Sequence, residues 1–215
     1  MRRLLWAVVA AAVPAGFAGA DTAADARATA RLTAALASLQ GLRAEFRQTV
    51  TDANGERVET AEGRLSLARP GRFRWDYRTP PQLIISDGTT VWLYDVDLAQ
   101  VTVRAASETL AGTPALLLSG EGDLAEVFAV SDGGEADGLA WSRLVPRDGD
   151  GDFSELSVGI AGGELRRMTF MDRLGQTTRL EFTRIERNPR FDPATFTFTP
   201  PPGVDVVGRA PPGGG

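Results

Sequence analysis

The sequence predicts a mainly β chain (α+β): a strongly curved antiparallel sheet, a barrel or half-barrel, with an N-terminal helix and short central helices over its open side. Three observations predict it. Apolar and polar residues alternate over most of the chain, the period of a half-buried strand. Turn signals such as Asn54-Gly55, Asp87-Gly88 and Gly162-Gly163 separate these runs. The alternation lapses before Gly41 and between Ala105 and Phe128, where helical signals replace it.

The chain begins with Arg2 and Arg3, an apolar run from Leu4 to Phe17, and the small-x-small triplet Ala18-Gly19-Ala20. This reads as a secretory signal peptide over 1–20, cleaved after Ala20. The apolar run is short for a membrane span, which needs about 20 residues. Asp21 to Leu39 reads as a helix, with Leu32, Leu36 and Leu39 on one face and Gly41 as its stop. Strands follow at Leu42 to Arg47 and Gly63 to Leu67, joined through Asp52-Ala53-Asn54-Gly55. The next is Arg72-Phe73-Arg74-Trp75-Asp76-Tyr77, an aromatic face backed by a wet charged face, with Arg69 just before it and Pro80-Pro81 after it.

Gln82 to Ser86, Val91 to Tyr94 and Gln100 to Val103 continue a meander of hairpins. Thr113-Pro114 is an N-cap and first-turn signal for a helix through Leu118, and Asp123 to Phe128 reads as a second short helix. Glycines bound both, the pattern of a lid, although an ordinary helical connection packed on the sheet fits as well. Strands resume at Leu139 to Val145, Phe153 to Ile160, Leu165 to Met171 and Thr177 to Ile185, with Phe196-Thr197-Phe198 as a last short one. That makes about ten strands. The expected organisation is one domain over 21–207 and a disordered Pro/Gly tail over 208–215.

Composition narrows the chemistry. Among 215 residues there is no cysteine and no histidine. Disulfides, Ser-His and Cys-His nucleophile systems and most zinc sites are therefore excluded, and so is lipidation on an N-terminal cysteine. The formal net charge of −5 argues against nucleic-acid binding. Asp148, Asp150 and Asp152 have the 1-3-5 spacing of a calcium loop, but Phe153 and Gly159 stand where it needs glycine and glutamate, so a hairpin turn is the better reading. Asp95 and Asp97 could be paired carboxylates for hydrolysis, but they sit in a turn with no partner cleft. The expectation is no enzyme, no metal and no cofactor. Phe73, Trp75 and Tyr77, with Trp92 and Tyr94, suit either permanent core or an apolar cavity. Arg69 is either solvated or a donor to helix C-terminal carbonyls.

Taken together, several stretches resemble the LolA family of periplasmic lipoprotein carriers. They are Leu39 to Gln48 with Phe46; Gly63-Arg64-Leu65; Arg69-Pro70 through Phe73 and Trp75; Ser86-Asp87-Gly88 through Tyr94; Thr113-Pro114; and Phe196-Thr197-Phe198-Thr199-Pro200-Pro201. The resemblance covers about Leu36 to Gly203. It implies an unclosed antiparallel half-barrel with an α-helical lid over an apolar cavity. It implies a soluble, monomeric periplasmic chaperone that takes lipoproteins from an inner-membrane ABC-type releasing complex and delivers their acyl chains to an outer-membrane receptor. The alternative is a lipid or glycolipid receptor or sensor on the same fold. The acyl-cavity candidates are Leu36, Leu39, Phe46, Phe73, Trp75 and Trp92, with Leu116, Leu117 and Leu118 from the lid. Pro114 begins the lid, and Arg69 is implied as its latch. An aromatic common in the lid is missing, and the Pro/Gly tail soon after Val207 argues against an extra C-terminal hook strand.

Overall fold

The computed structural model describes residues 18–110, 114–119, 124–148 and 153–210. The expected signal segment lies largely outside them, as do Thr113, Asp150, Asp152 and the last five residues. Helix α1 spans Ala18–Ala37. Strands β1 (Gly41–Thr51), β2 (Arg57–Ala68), β3 (Arg72–Thr79), β4 (Pro81–Asp87), β5 (Thr90–Asp95) and β6 (Gln100–Ala105) form a continuous meander. Short helices α2 (Ala106–Leu110), α3 (Pro114–Ser119) and α4 (Leu124–Val127) follow. Strands β7 (Phe128–Ala136), β8 (Leu139–Pro146), β9 (Phe153–Ala161), β10 (Glu164–Asp172) and β11 (Thr177–Arg187) form a second meander. A 3-10 turn at Pro193–Phe196 and β12 (Asp205–Gly208) close the chain.

All twelve strands belong to one sheet, in the order β12-β6-β5-β4-β3-β2-β1-β11-β10-β9-β8-β7. The two meanders join where β1 pairs antiparallel with β11. The ends, β12 and β7, are not paired to each other, so this is an unclosed half-barrel. Helix α1 blunts the β7 end: Asp132 N donates to Asp25 Oδ1 at 2.8 Å, and Arg31 Nη2 donates to the Trp141 carbonyl at 2.9 Å.

Directly opposed residues share a face of a sheet. The register sets Leu42, Leu67 and Phe73 in one row, Ala44, Leu65 and Trp75 in the next, and Phe46, Gly63 and Tyr77 in a third. This inner face continues through Phe182, Leu180, Met168, Val158 and Leu144, and Leu32, Leu36 and Leu39 lie over it. Gly63 has to be glycine: a Cβ there would collide with the Asp76 carbonyl and lie 2.9 Å from the Phe46 ring.

The outer face has a core of its own. Residues 189–210 run across β3 to β6, burying Ile85, Val101 and Phe196. The Arg72 guanidinium lies 5.6 Å from the Phe196 ring centre, and that of Arg43 lies 5.0 Å from Phe191. The charged side of the aromatic strand is thus partly covered, not wholly wet.

Several expected elements differ. Helix α1 ends at Ala37, and Gly41 instead opens β1, where a Cβ would meet the Leu67 carbonyl at 3.0 Å. Helix α2 and strand β7 were not anticipated. Most of β7 is exposed, so it carries no apolar alternation. Phe196 to Phe198 is not a strand; Asp192 caps the 3-10 turn by accepting from Ala194 N at 2.9 Å. A short strand does form near the C-terminus, where β12 pairs parallel with β6.

Candidate functional site

The inner face of β1 to β3 is an aromatic platform. The Phe46 ring stands edge-on to both Trp75 and Tyr77, at 4.9 Å between centres in each case. Phe182, opposite Phe46 on β11, lies 6.4 Å from Trp75. Phe73 and Trp75 are buried; Tyr77 is partly buried and donates to Gln48 Oε1 at 3.1 Å. Burial, followed by the nearby Glu59 charge, pushes the Tyr77 phenol up to about 12.

Two helices cover this platform. Leu36 of α1 and Leu117 and Leu118 of α3 are buried in the same cluster as Phe73 and Trp75. A crevice under α1, lined by Leu32, Leu36, Leu39, Val158, Ile160 and Leu165, keeps only about 10 Å³ of free space, about what one water needs.

Arg69 stands in the β2–β3 turn, where its amide donates to the Gln40 carbonyl at 2.9 Å. Its guanidinium reaches both covering helices. Nη1 donates to the Leu36 carbonyl at 2.7 Å, Nε to Leu118 at 3.1 Å and Nη2 to Leu117 at 3.3 Å. Next to it, Gly71 N donates to the Ser119 carbonyl at 3.3 Å. The last carbonyls of a helix have no partner within it, and a cation also suits that negative end. One planar fork therefore caps α1 and α3 together. Burial lowers the Arg69 pKa, but a guanidinium stays charged in proteins.

The structure brings Leu36, Leu39, Phe46, Phe73, Trp75, Leu117 and Leu118 into one buried cluster. Pro114 and Leu116 belong to α3, but their side chains lie outside the description. Trp92 is not on this face. It stands opposite Ile85, one step out of phase with Trp75 opposite Ile84, and packs on Phe198 of the outer layer at 6.3 Å. The reason is the two-residue period of β5, which sends Val91 and Leu93 inward and Trp92 and Tyr94 outward. Leu180 and Phe182 of β11, not singled out from the sequence, do line the inner face; the alternation in Thr177 to Ile185 carried that signal.

The inner face is thus an apolar platform under two helices that share one arginine. The sequence profile described as "Outer membrane lipoprotein carrier protein LolA" matches residues 37–199. The chain belongs to the LolA family. An outer-membrane lipoprotein carrier protein of Dechloromonas aromatica is 45% identical over 175 residues, covering 81% of this chain and 84% of that one. The protein of the same description from Methylobacillus flagellatus is 44% identical over 173 residues, covering 80% and 84%. Among solved structures, an uncharacterized conserved protein from Thermus thermophilus superposes with a TM-score of 0.53 at 15% identity, covering 86% of this LolA-family chain and 98% of that one. That likeness extends to the fold.

Proposed function

We propose that this chain is a periplasmic lipoprotein carrier that holds the acyl chains of its cargo on the inner face between the aromatic platform and the helical cover. The observation that carries the proposal is the Arg69 fork, which ties two separate helices over an apolar surface through three side-chain hydrogen bonds. Such a tie opens without disturbing the sheet. The carrier reading involves no bond-making step, so it asks nothing of histidine or cysteine, which the chain lacks.

The energetics require both tight shelter and release. Each CH₂ is worth about 0.8 kcal/mol, so a multiply acylated cargo faces tens of kcal/mol of exposure in water. Leu36, Leu117 and Leu118 occupy the platform when it is closed. The guest must displace these side chains, and that cost lowers its net affinity enough for hand-over. In this scheme an inner-membrane ABC-type releasing complex supplies the lipoprotein and an outer-membrane receptor removes it. Leu36, Leu39, Phe46, Phe73, Trp75, Leu116, Leu117 and Leu118 contact the acyl chains, Pro114 starts the moving helix, and Arg69 is the latch.

The test is purification from a cell extract followed by mass spectrometry of what accompanies the protein. Acylated lipoproteins are the expected companions. Free lipid in their place would favour a lipid sensor, and an empty protein that also ignores a fluorescent acyl probe would end the carrier reading.

A further inference from the structure

The sheet has two open edges, and the chain protects only one of them. Native proteins blunt an edge strand with charges, a bulge or a covering element. Strand β7 has all three: Asp132 and Glu135, a register shift between them, and α1 bonded alongside. Strand β12 carries a charge only at its first residue, Asp205, and pairs with β6 without a shift. All four of its residues are exposed, Val206 at 48% and Val207 at 45%, and no strand lies on its far side among the described residues.

Asp205 N donates to the Ala99 carbonyl at 2.9 Å. The two-residue period of a strand then turns the backbone groups of Asp205 and Val207 towards β6, and those of Val206 with the Gly208 N–H towards solvent. The register sets Val207 in line with Thr102, Leu93, Ile84 and Trp75, so it continues the inner face. Gly208 has a φ of +95°, and the exposed Arg209 follows it outside the ladder. The two ends of this edge differ in sign. At its start stand Asp205, Asp95 and Asp97, with no basic residue in 94–103 or 191–208. At its finish stand Arg209 and Arg104, against one acid, Glu108, in 104–110. Asp205, Arg104 and Arg209 make no ion pair among the described residues.

We infer that β12 pairs antiparallel with β12 of a second copy of this chain across a two-fold axis, giving a weak homodimer. With Val207 facing Val207 of the second copy, Val206 stands opposite Gly208 and Asp205 opposite Arg209, and each relation recurs across the axis. The Gly208 N–H of each copy donates to the Val206 carbonyl of the other. The valines lose water, and two Asp205–Arg209 pairs close the ends of the ladder. The two-fold lays each acidic end on a basic one, so the edge is complementary to itself. Only residues 204–210 meet on each side, against about 20–30 in a standard interface, so association depends on concentration. Each copy has a net charge of −5, but repulsion between distant charges is screened beyond about 8 Å at 0.15 M salt. The pairing uses the sheet edge alone and does not depend on an acyl guest.

The full chain is expressed, and the exported protein is recovered from a periplasmic extract. It is then sedimented in 0.15 M salt at about 1 μM and about 1 mM, which bracket the dissociation constant of a weak complex. Monomer is expected at the lower concentration and dimer at the higher. Val207→Lys sets like charges face to face on the axis and keeps the chain monomeric at both. Asp205→Arg and Arg209→Asp each weaken association about tenfold, and the two together restore it. Asp205→Arg also makes the chain less acidic, so diffuse charge repulsion predicts the opposite sign for that variant. A wild-type chain still monomeric at the higher concentration overturns the inference. So does a dimer that survives Val207→Lys, and so does a double swap as weak as the single variants. Affinity for a fluorescent acyl probe, measured on the same variants at the lower concentration, keeps this outcome separate from that of the carrier reading.

Discussion

Replacing Arg69 by leucine removes three donors from three helix-end carbonyls, those of Leu36, Leu118 and Leu117. A hydrogen bond from a charged group contributes about 1.5–3 kcal/mol when fully dry, and a neutral one about 1 kcal/mol. Arg69 is only partly buried, and water can reach the freed carbonyls, so the lower figure applies to each. Two of the bonds, those to Leu117 and Leu118, then hold α3 with about 2 kcal/mol, or about 30-fold in its opening equilibrium. Helix α3 cannot hold itself, since isolated helices under about 12 residues are marginal and it has six. Native-state hydrogen exchange reads the effect directly. The amides of Leu118 and Ser119 should exchange about 30-fold faster in Arg69→Leu, with the Trp75 amide of β3 changed less than about threefold. Arg69→Lys keeps the charge but not the fork and should fall between. Unchanged protection of α3 would refute the clasp, and equal acceleration at Trp75 would point to general destabilisation instead.

Other expectations concern the platform and the two faces. The Tyr77 phenol is raised to about 12 from an ordinary 10, so its neutral form is favoured by folding. Its contribution, about 3 kcal/mol, is present in full below pH 10 and is lost as pH climbs through 12. Urea midpoints should drop over that window, and in Tyr77→Phe that part of the drop should disappear. Gly63→Ala forces a methyl against the Asp76 carbonyl and the Phe46 ring and should cost about 1–3 kcal/mol in urea unfolding. Trp75→Ala should weaken binding of a fluorescent acyl probe, while Trp92→Ala should leave it unchanged and instead loosen residues 189–210, read as faster proteolysis of that segment.

Much of the sheet was legible because its strands are half-buried and therefore alternate. Ten of the twelve strands carried an alternating or turn-bounded signal; the others show why some did not. Strand β7 buries Phe128 and little else. Its place comes from pairing with β8 and from the Asp25 carboxylate of α1, neither of which leaves a hydrophobic period. Trp92 was misplaced for a different reason. Its phase relative to Leu93 was readable, but nothing local said that the outer face would acquire an apolar cover from Phe196 and Phe198, more than a hundred residues away. For Arg69 the residues left two readings open, a solvated side chain or a donor to helix C-terminal carbonyls, and did not say which carbonyls. Those carbonyls lie 33 to 49 residues away in the chain and meet only once both helices have packed.

The two ends of the sheet never meet. In a closed barrel, strand number and shear fix the radius, so the interior volume is locked by the ladder itself. Here the ladder stops, and the missing wall is made of α1 and α3, both bonded by Arg69 of the β2–β3 turn. Swinging α3 out breaks the bonds from Arg69 to Leu117 and Leu118 and the one from Gly71 to Ser119, and lifting α1 breaks the one from Arg69 to Leu36 together with its ties to Asp132, Trp141 and Ser142, but no rung between strands is lost. Capacity is thus set by a movable bulkhead on a rigid hull, and guests of different bulk can be fitted without refolding the vessel.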